Sequence, residues 1–479
     1  MKRTLKLIII CITSFILASC ESKQVIDTPV PTKPITEQPN ETPPDFKLFE
    51  NSFGFSSLII TDRSMTTDGY VMIHDEVEFI SALLDSNTKI IEIKNDLNMG
   101  SKEVLEKLTV AGMNLEQVRS VYRPHSRQPL MHPILKETGV GVVRIVLRND
   151  LMIFSKNGHQ IKHTSFLIDG STNIVIRNLH FSELWEWDEA TTGNYDRNDW
   201  DYFTVEKSNG IWFDHLTFEQ AYDGIIDVKE EGRNLTLSWS KLIFRPNPFI
   251  EAQIDYLEEN VELYPYYQSF KELGISREDM LLYTSFQKKG FNIGNSTDGE
   301  GFEPITFTFH HLEIYNLMDR MPRIRKGDVH VYHITLDNTE IHDLRIKHNN
   351  DLRFSNQGIV TTEDGAVLME NSRFILVNTP IRNHQDSRTD TRYTGKYKVI
   401  NSELILANRT YFGSSSDHNS LWIHSNPNEL IPFTFRNYQV LPYTYHLQDI
   451  YYLNETFEIY PTGHQKIDDF DWLKINENP

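Results

Sequence analysis

Short alternations of apolar and polar residues recur through the middle of the chain, separated by turn-forming residues, and they repeat a common plan. NIVIRNLHF (173–181), GIWFDHLTF (210–218), TFTFHHLEI (306–314) and AVLMENSRF (366–374) carry apolar side chains at the second, fourth and ninth places and a polar one at the sixth. NLTLSWSKL (234–242) follows the same plan with Trp239 at its sixth place. A period of two marks strands, whose successive side chains point to opposite faces. Gly210 and Asn234, which open two successive copies, lie 24 residues apart. A unit of that size with strands and no helix suits one coil of a parallel β-helix, in which coils stack and bury alternate side chains in one interior. An antiparallel sandwich also has short strands, but it gives no reason for one residue type to return at one point of every unit. The pattern therefore predicts an all-β solenoid, a single-stranded parallel β-helix.

Two stretches depart from the plan. Residues 47–140 mix a strand-like segment (89–94) with helix-like ones (75–84 and 102–112), as expected of a capped N-terminal end. Between 246 and 286, Leu257, Val261, Leu263, Tyr266, Tyr267, Phe270 and Leu273 follow a helical spacing. This predicts a helical insertion projecting from one coil, as a lid over a groove or as a decoration.

The start of the chain has a different character. Lys2, Arg3 and Lys6 precede an apolar run at 7–17, which is short for a bilayer span and reads as an export signal. It ends in Leu17-Ala18-Ser19-Cys20, which resembles a bacterial lipobox. The expectation is a lipoprotein signal peptide at 1–19, with Cys20 lipidated as the mature N-terminus; an ordinary signal peptide with a chance cysteine is the bland alternative. Residues 20–46 hold Pro29, Pro31, Pro34, Pro39, Pro43 and Pro44, and read as an extended tether. Residues 47–479 then form the body. These features predict a lipid-anchored location in a bacterial cell envelope, at the outer membrane or the cell surface, with the lipid as the sole membrane contact.

Charge narrows the partners. With 47 Lys+Arg against 67 Asp+Glu the formal charge is −20, and loss of the signal's three cations would take it to −23. So acidic a chain is unsuited to nucleic acid, which needs a basic surface. Two cysteines exclude a disulfide framework.

Three clusters carry candidate chemistry. The first is acidic, with Asp199 and Asp201 followed by Asp223 and Asp227. Residues 20–30 apart become neighbours on adjacent coils, so these carboxylates suit Ca²⁺, which accepts irregular oxygen shells. They equally suit a solvated face or turn-capping aspartates. The second is basic, with Arg320, Arg323, Arg325 and Lys326 packed into seven residues around Pro322. Arginine forks match carboxylates, so the cluster points to an anionic ligand, or else to charge balance with surface acids. The third, His310-His311, lies on a strand; neighbours there face opposite sides, so the pair reads as packing or ladder residues and not as a metal grip.

The segments DWDYFTVEKSNGIWFDHLTFEQAYDGIIDVKEEGRNLTLS (199–238) and TFTFHHLEIYNLMDRMPRIRKGDVHVY (306–332) resemble the pectate lyase family. The second holds an Arg-x-Pro-x-x-Arg pattern as Arg320, Pro322 and Arg325. Weaker similarity runs through 143–181, 359–382 and 441–447. The resemblance implies a right-handed parallel β-helix that cleaves polygalacturonate by Ca²⁺-assisted β-elimination. It implies Asp201, Asp223 and Asp227 as calcium ligands, with Asp199 aiding a substrate-bridging ion. It implies Arg320 as the base, Arg325 and Arg323 as substrate binders, and Lys289, in QKKGFNIG (287–294), as the family's lysine. Leu312 and the His333-Ile334 pair depart from the family's asparagines, but at interior ladders. Retention of the three aspartates favours pectate over its methyl ester.

Three readings of function follow. The leading one is a lipid-anchored pectate lyase, monomeric, acting on polygalacturonate or pectin oligosaccharides. The alternative is a non-catalytic uronan-binding surface lipoprotein on the same fold. The third, a β-helix glycoside hydrolase, would use the aspartates as acid and base but leaves the arginine cluster without a role.

Overall fold

The computed structural model describes residues 52–60, 69–100, 104, 107, 122–124, 143–184, 201–221, 223–286, 288–295, 305–348, 351–352, 354–384, 394–407, 409–413, 423–424, 433–436 and 438–466. The signal, the tether and Cys20 lie outside them.

The strands of the described residues join into a ten-stranded and an eighteen-stranded sheet. Pairing is parallel throughout, apart from Tyr122–Pro124 with Val143–Leu147 and Ser402–Leu406 with Arg409–Gly413. The chain visits one sheet and then the other in each coil, which makes the fold a parallel β-helix. In the larger sheet Ile211 stands beside Ile174 and Leu235, and Phe213 beside Ile176 and Leu237. These are the second and fourth places of the repeat, and they line one continuous core running from Ile73 to Leu404. Like side chains stack from coil to coil, as Phe181 does on Phe218, with ring centroids 5.5 Å apart.

The sixth place of the repeat has a backbone role. Asn178, His215, Trp239, His311 and Asn371 all have φ between 40° and 52°, a left-handed bend that turns each coil. That bend breaks strand alternation, so His310 and His311 do not face opposite sides: both are buried, with their Nδ1 atoms 2.8 Å apart.

Helix α1 (Glu76–Leu84) begins one residue after the expected start, because the Asp75 carboxylate accepts the Val77 and Glu78 N–H groups as its N-cap. It places Phe79, Ile80 and Leu83 against the first coil and covers an edge that would otherwise be open. Strand Ile90–Ile93 stands where the 89–94 pattern put it. Of 102–112, only Val104 and Lys107 are described, and both are helical.

The insertion is helical as expected. It holds α2 (Pro248–Glu259), a 3₁₀ turn (Val261–Leu263), α3 (Pro265–Glu272) and α4 (Arg277–Phe286). Asn247 caps α2, with Pro248 at the first helical position. A further helix, α5 (Thr339–His348), was not legible in the sequence; it joins the insertion in a second apolar core through Ile341 and Leu344. Asp279 of α4 accepts hydrogen bonds from Lys347 and His348, both at 2.8 Å. Helix α6 (Leu453–Ile459) lies on the outer face of the larger sheet against Trp239. No helix among the described residues is long and apolar enough to cross a membrane.

Candidate active site

The ten-stranded sheet gathers the acidic and basic clusters. Its consecutive strands Phe203–Glu206, Ile226–Lys229, Phe291–Ile293, Arg323–Arg325 and Gln357–Thr362 are rungs about 4.8 Å apart. One register row runs Thr204, Asp227, Asn292, Arg323 and Val360. Ile226, Val228, Phe291, Ile293 and Ile324, which alternate with them, point into the core. Asp227, Asn292 and Arg323 therefore share the outer face.

The turns that precede these strands form a second line. The Ile225 N–H donates to Gly290 O (2.8 Å), and the Lys289 N–H to Asp223 O (3.0 Å). On the next rung the Gly290 N–H donates to Asp319 O (2.9 Å), and the Phe291 N–H to Arg320 O (2.8 Å). Asp201, Asp223, Lys289 and Arg320 thus enter from four consecutive coils, with one rung between Asp223 and Arg320. That separation is about 10 Å, room for an ion and a sugar carboxylate. Two glycines make the close approach possible. A Cβ on Gly224 would lie 2.5 Å from Asp201 Oδ1, and one on Gly290 would meet Arg320 O.

The three aspartates are 4–5% exposed, and carboxylates so buried need polar or charged partners. Lys289 Nζ lies 2.5 Å from Asp223 Oδ1. Asp227 takes Lys229 Nζ at 2.6 Å on one oxygen and Asn292 Nδ2 at 2.8 Å on the other. Among the described residues no three carboxylate, imidazole or thiolate side chains converge as a metal cage. The donor set nevertheless fits calcium: hard oxygens on adjacent rungs, two of them held by ammonium groups that a divalent ion can replace. Asp199 lies outside the described residues.

The basic side is crowded. Burial first, and then the Arg325 and Arg320 charges, pull the Arg323 guanidinium down to about 10. Arg325 Nε lies 3.4 Å from Glu363 Oε1. The Nε atoms of Arg320 and Arg323 are buried without a hydrogen-bond partner among the described residues. A buried donor left unmade is costly, and at a site it points to an absent acceptor. Lys289, Arg320, Arg323 and Arg325 are therefore brought together with Asp201, Asp223 and Asp227, as the sequence predicts. Sequence reasoning missed Asn292, Lys229 and Asp319. Asn292 shows only through strand register, which places it beside Asp227; Lys229 stands two residues after Asp227 on the same strand, where alternation puts both on one face; Asp319 adjoins Arg320, just before the motif begins.

A family model described as pectate lyase matches residues 136–245, a span that contains the three aspartates and stops before Lys289. Pectate lyase B of Paenibacillus amylolyticus is 35% identical over 354 residues, 70% of this chain and 87% of that protein. A pectate trisaccharide-lyase of Thermotoga maritima is 27% identical over 188 residues, 39% of this chain and 40% of that one. The solved structure of a pectate lyase from Paenibacillus sp. 0602 superposes with a TM-score of 0.78 at 33% identity, covering 89% of this chain and 99% of that one. A pectate lyase from Acidovorax avenae shares the fold at a TM-score of 0.53 and 16% identity, over 92% of this chain and 99% of that one. With the stacked parallel coils and the identity over most of a relative's length, the chain belongs to the pectate lyase family of polysaccharide lyases.

Proposed function

We propose that the protein cleaves de-esterified homogalacturonan by β-elimination, with calcium held by Asp201, Asp223 and Asp227 and with Arg320 as the base. The observation that carries this reading is the single sheet that lines up carboxylates and guanidinium groups on four successive coils. Calcium, when bound, neutralises the uronate carboxylate and so acidifies the C5 proton. Lys289, Arg323 and Arg325 bind the remaining negative charge and orient the sugar. Arg320 takes the C5 proton. The electron pair left on C5 forms the C4=C5 double bond, the C4–O bond breaks, and the leaving oxygen takes a proton from water. Arginine serves as a base only among like charges, and Arg323, Arg325 and Lys326 supply them.

The test follows the unsaturated product by ultraviolet absorbance with polygalacturonate, with and without a chelator. Arg320→Ala is expected to lose about 10³-fold or more in kcat with its melting temperature retained. No absorbance gain with any uronate polymer would move the protein to the non-catalytic binding reading, and saturated ends would make it a hydrolase.

We further infer that Cys20 carries a lipid and tethers the enzyme to the bacterial envelope, the reading supported by the basic start, the apolar run and the 17–20 motif. Wild type should partition into the detergent phase and Cys20→Ser should stay in the aqueous phase; equal partitioning would discard the anchor.

A further inference from the structure

The turn between strands Ile305–Tyr315 and Arg323–Arg325 is clamped along its whole length. Asn338 Nδ2 donates to Leu317 O (2.8 Å) and the Gln357 N–H to Met318 O (3.0 Å). Asp319 O and Arg320 O accept from the coil before, and the Met321 N–H donates to Gly358 O (3.0 Å) of the coil after. Met318 also packs against the second apolar core, formed by the insertion and α5, so the helical region buttresses this turn.

Within the clamp Arg320 is the anomaly. Its φ is 67°, a left-handed conformation that costs a non-glycine residue on the order of 1–2 kcal/mol. Its N–H does not join the ladder. The Asp319 carboxylate accepts it at 2.7 Å. That carboxylate is itself held by the Gln357 side chain and faces both Arg320 and Arg323. Burial pushes it above the usual carboxylate range while those two guanidinium groups pull it back.

We propose that Asp319 is a positioning residue for catalysis: by capping the Arg320 N–H it fixes the left-handed bend that swings the Arg320 side chain out of the ladder toward the acidic row. The proposal rests on the reading of Arg320 as base. Two consequences follow. The acceptor oxygen governs where the guanidinium sits. The charge on that oxygen governs how readily the neighbouring guanidinium groups give up a proton.

Asp319→Ala, Asp319→Asn and Arg320→Ala separate these effects when kcat, KM, the pH–rate profile and the melting temperature are measured on polygalacturonate. Asp319→Ala is expected to lower kcat about 100-fold, the cost of misplacing a catalytic group by about 1 Å, with KM within about threefold. Asp319→Asn keeps an oxygen acceptor and is expected to restore most of kcat. Its rise of rate with pH should move to lower pH, because a negative charge beside the guanidinium groups is gone. Wild-type kcat in Asp319→Ala, with Arg320→Ala inactive, would overturn the positioning role and leave the base in place. Equal losses in Asp319→Ala and Asp319→Asn that track a fall in melting temperature, with an unmoved pH profile, would make Asp319 merely structural and overturn it too. An active Arg320→Ala would end the base reading and this proposal together.

Discussion

On the outer face of the larger sheet, Arg177, Asp214, Ser238, His310, Tyr332 and Glu370 stand in one register row. On the outer face of the ten-stranded sheet, Asp227, Asn292 and Arg323 stand in another. Both rows hold an aspartate and an arginine, and they have opposite fates. In the first, Arg177 and Asp214 are on adjacent rungs and meet at 2.9 Å. His215 and Ser238 complete the carboxylate, and its proton is held far below the ordinary range chiefly by the His215 and Arg177 charges, against the burial that opposes them. Farther along, Glu370 bonds His330 and Tyr445, while Phe55 and the segment with Tyr443 and Tyr445 cover the sheet. In the second row one rung separates Asp227 from Arg323, Asn292 fills the gap, and the Arg323 Nε is left without a partner among the described residues. One rung of spacing divides a closed ion pair from a site that can take a ligand between its charges.

The sharpest way to break the contrast is to remove one carboxylate from each row. Asp214→Ala strands the buried Arg177 guanidinium and is expected to cost about 3–5 kcal/mol in denaturant unfolding, with kcat per folded molecule kept. Asp227→Ala should do the reverse, sparing stability and losing turnover. Equal stability losses in the two variants would show the rows to be alike.

Acid probes the sealed row together with the bend beside it, where His311 and His333 stand. Burial pulls His310 down to about 3 and His333 to about 4, and His311 lies low for the same reason. Unfolded, such residues titrate near 6.5. The unfolded chain therefore binds protons first as pH falls. Their contribution to stability is full above about pH 6.5 and is lost on the way down, toward about 4 for His333 and about 3 for His310. At pH 5 each of His310 and His333 should have given up about 2 kcal/mol. Denaturant midpoints at pH 7.5 and pH 5 check this, and a flat profile would place compensating charges around the histidines.

Much of this division was legible beforehand. The second and fourth places of the repeat marked the core, whereas the sixth was legible only as a polar position and its bend shows only in the backbone. The insertion showed through the helical spacing of residues such as Leu257 and Phe270. The acidic and basic motifs named six side chains that the sheet does bring together, and the family resemblance added Lys289. What was hidden depends on register and cover. Nothing in the sequence places Asn292 beside Asp227, since the insertion separates them by 65 residues. Helix α5 buries only Ile341 and Leu344, too few to make a helical pattern. The alternation rule misplaced His311 because a left-handed bend resets which way the next side chain points. Nor does composition tell a covered polar row from an open one; the cover comes from residues more than a hundred positions away, as when Tyr443 bonds Thr308 and His330.

The smallest expected effect is the most specific to the open row. Lys229 Nζ holds Asp227 Oδ2 at 2.6 Å, an ion pair as short as any in the sealed row, yet its lysine is about a quarter exposed where Arg177 is 5% exposed. A pair with one wet partner gains little net energy, because solvent screens it and the long side chain loses freedom. Lys229 can therefore yield to a divalent ion, at the cost of its attraction to Asp227. Removing that competitor in Lys229→Met should tighten calcium binding severalfold, about 1 kcal/mol, as read by calorimetric titration of the enzyme without substrate. Asp227→Asn should weaken binding in the same titration. If both substitutions moved the affinity the same way, Lys229 would be supporting the ion site, and the distinction between a displaceable pair and a sealed one would have to rest on cover alone.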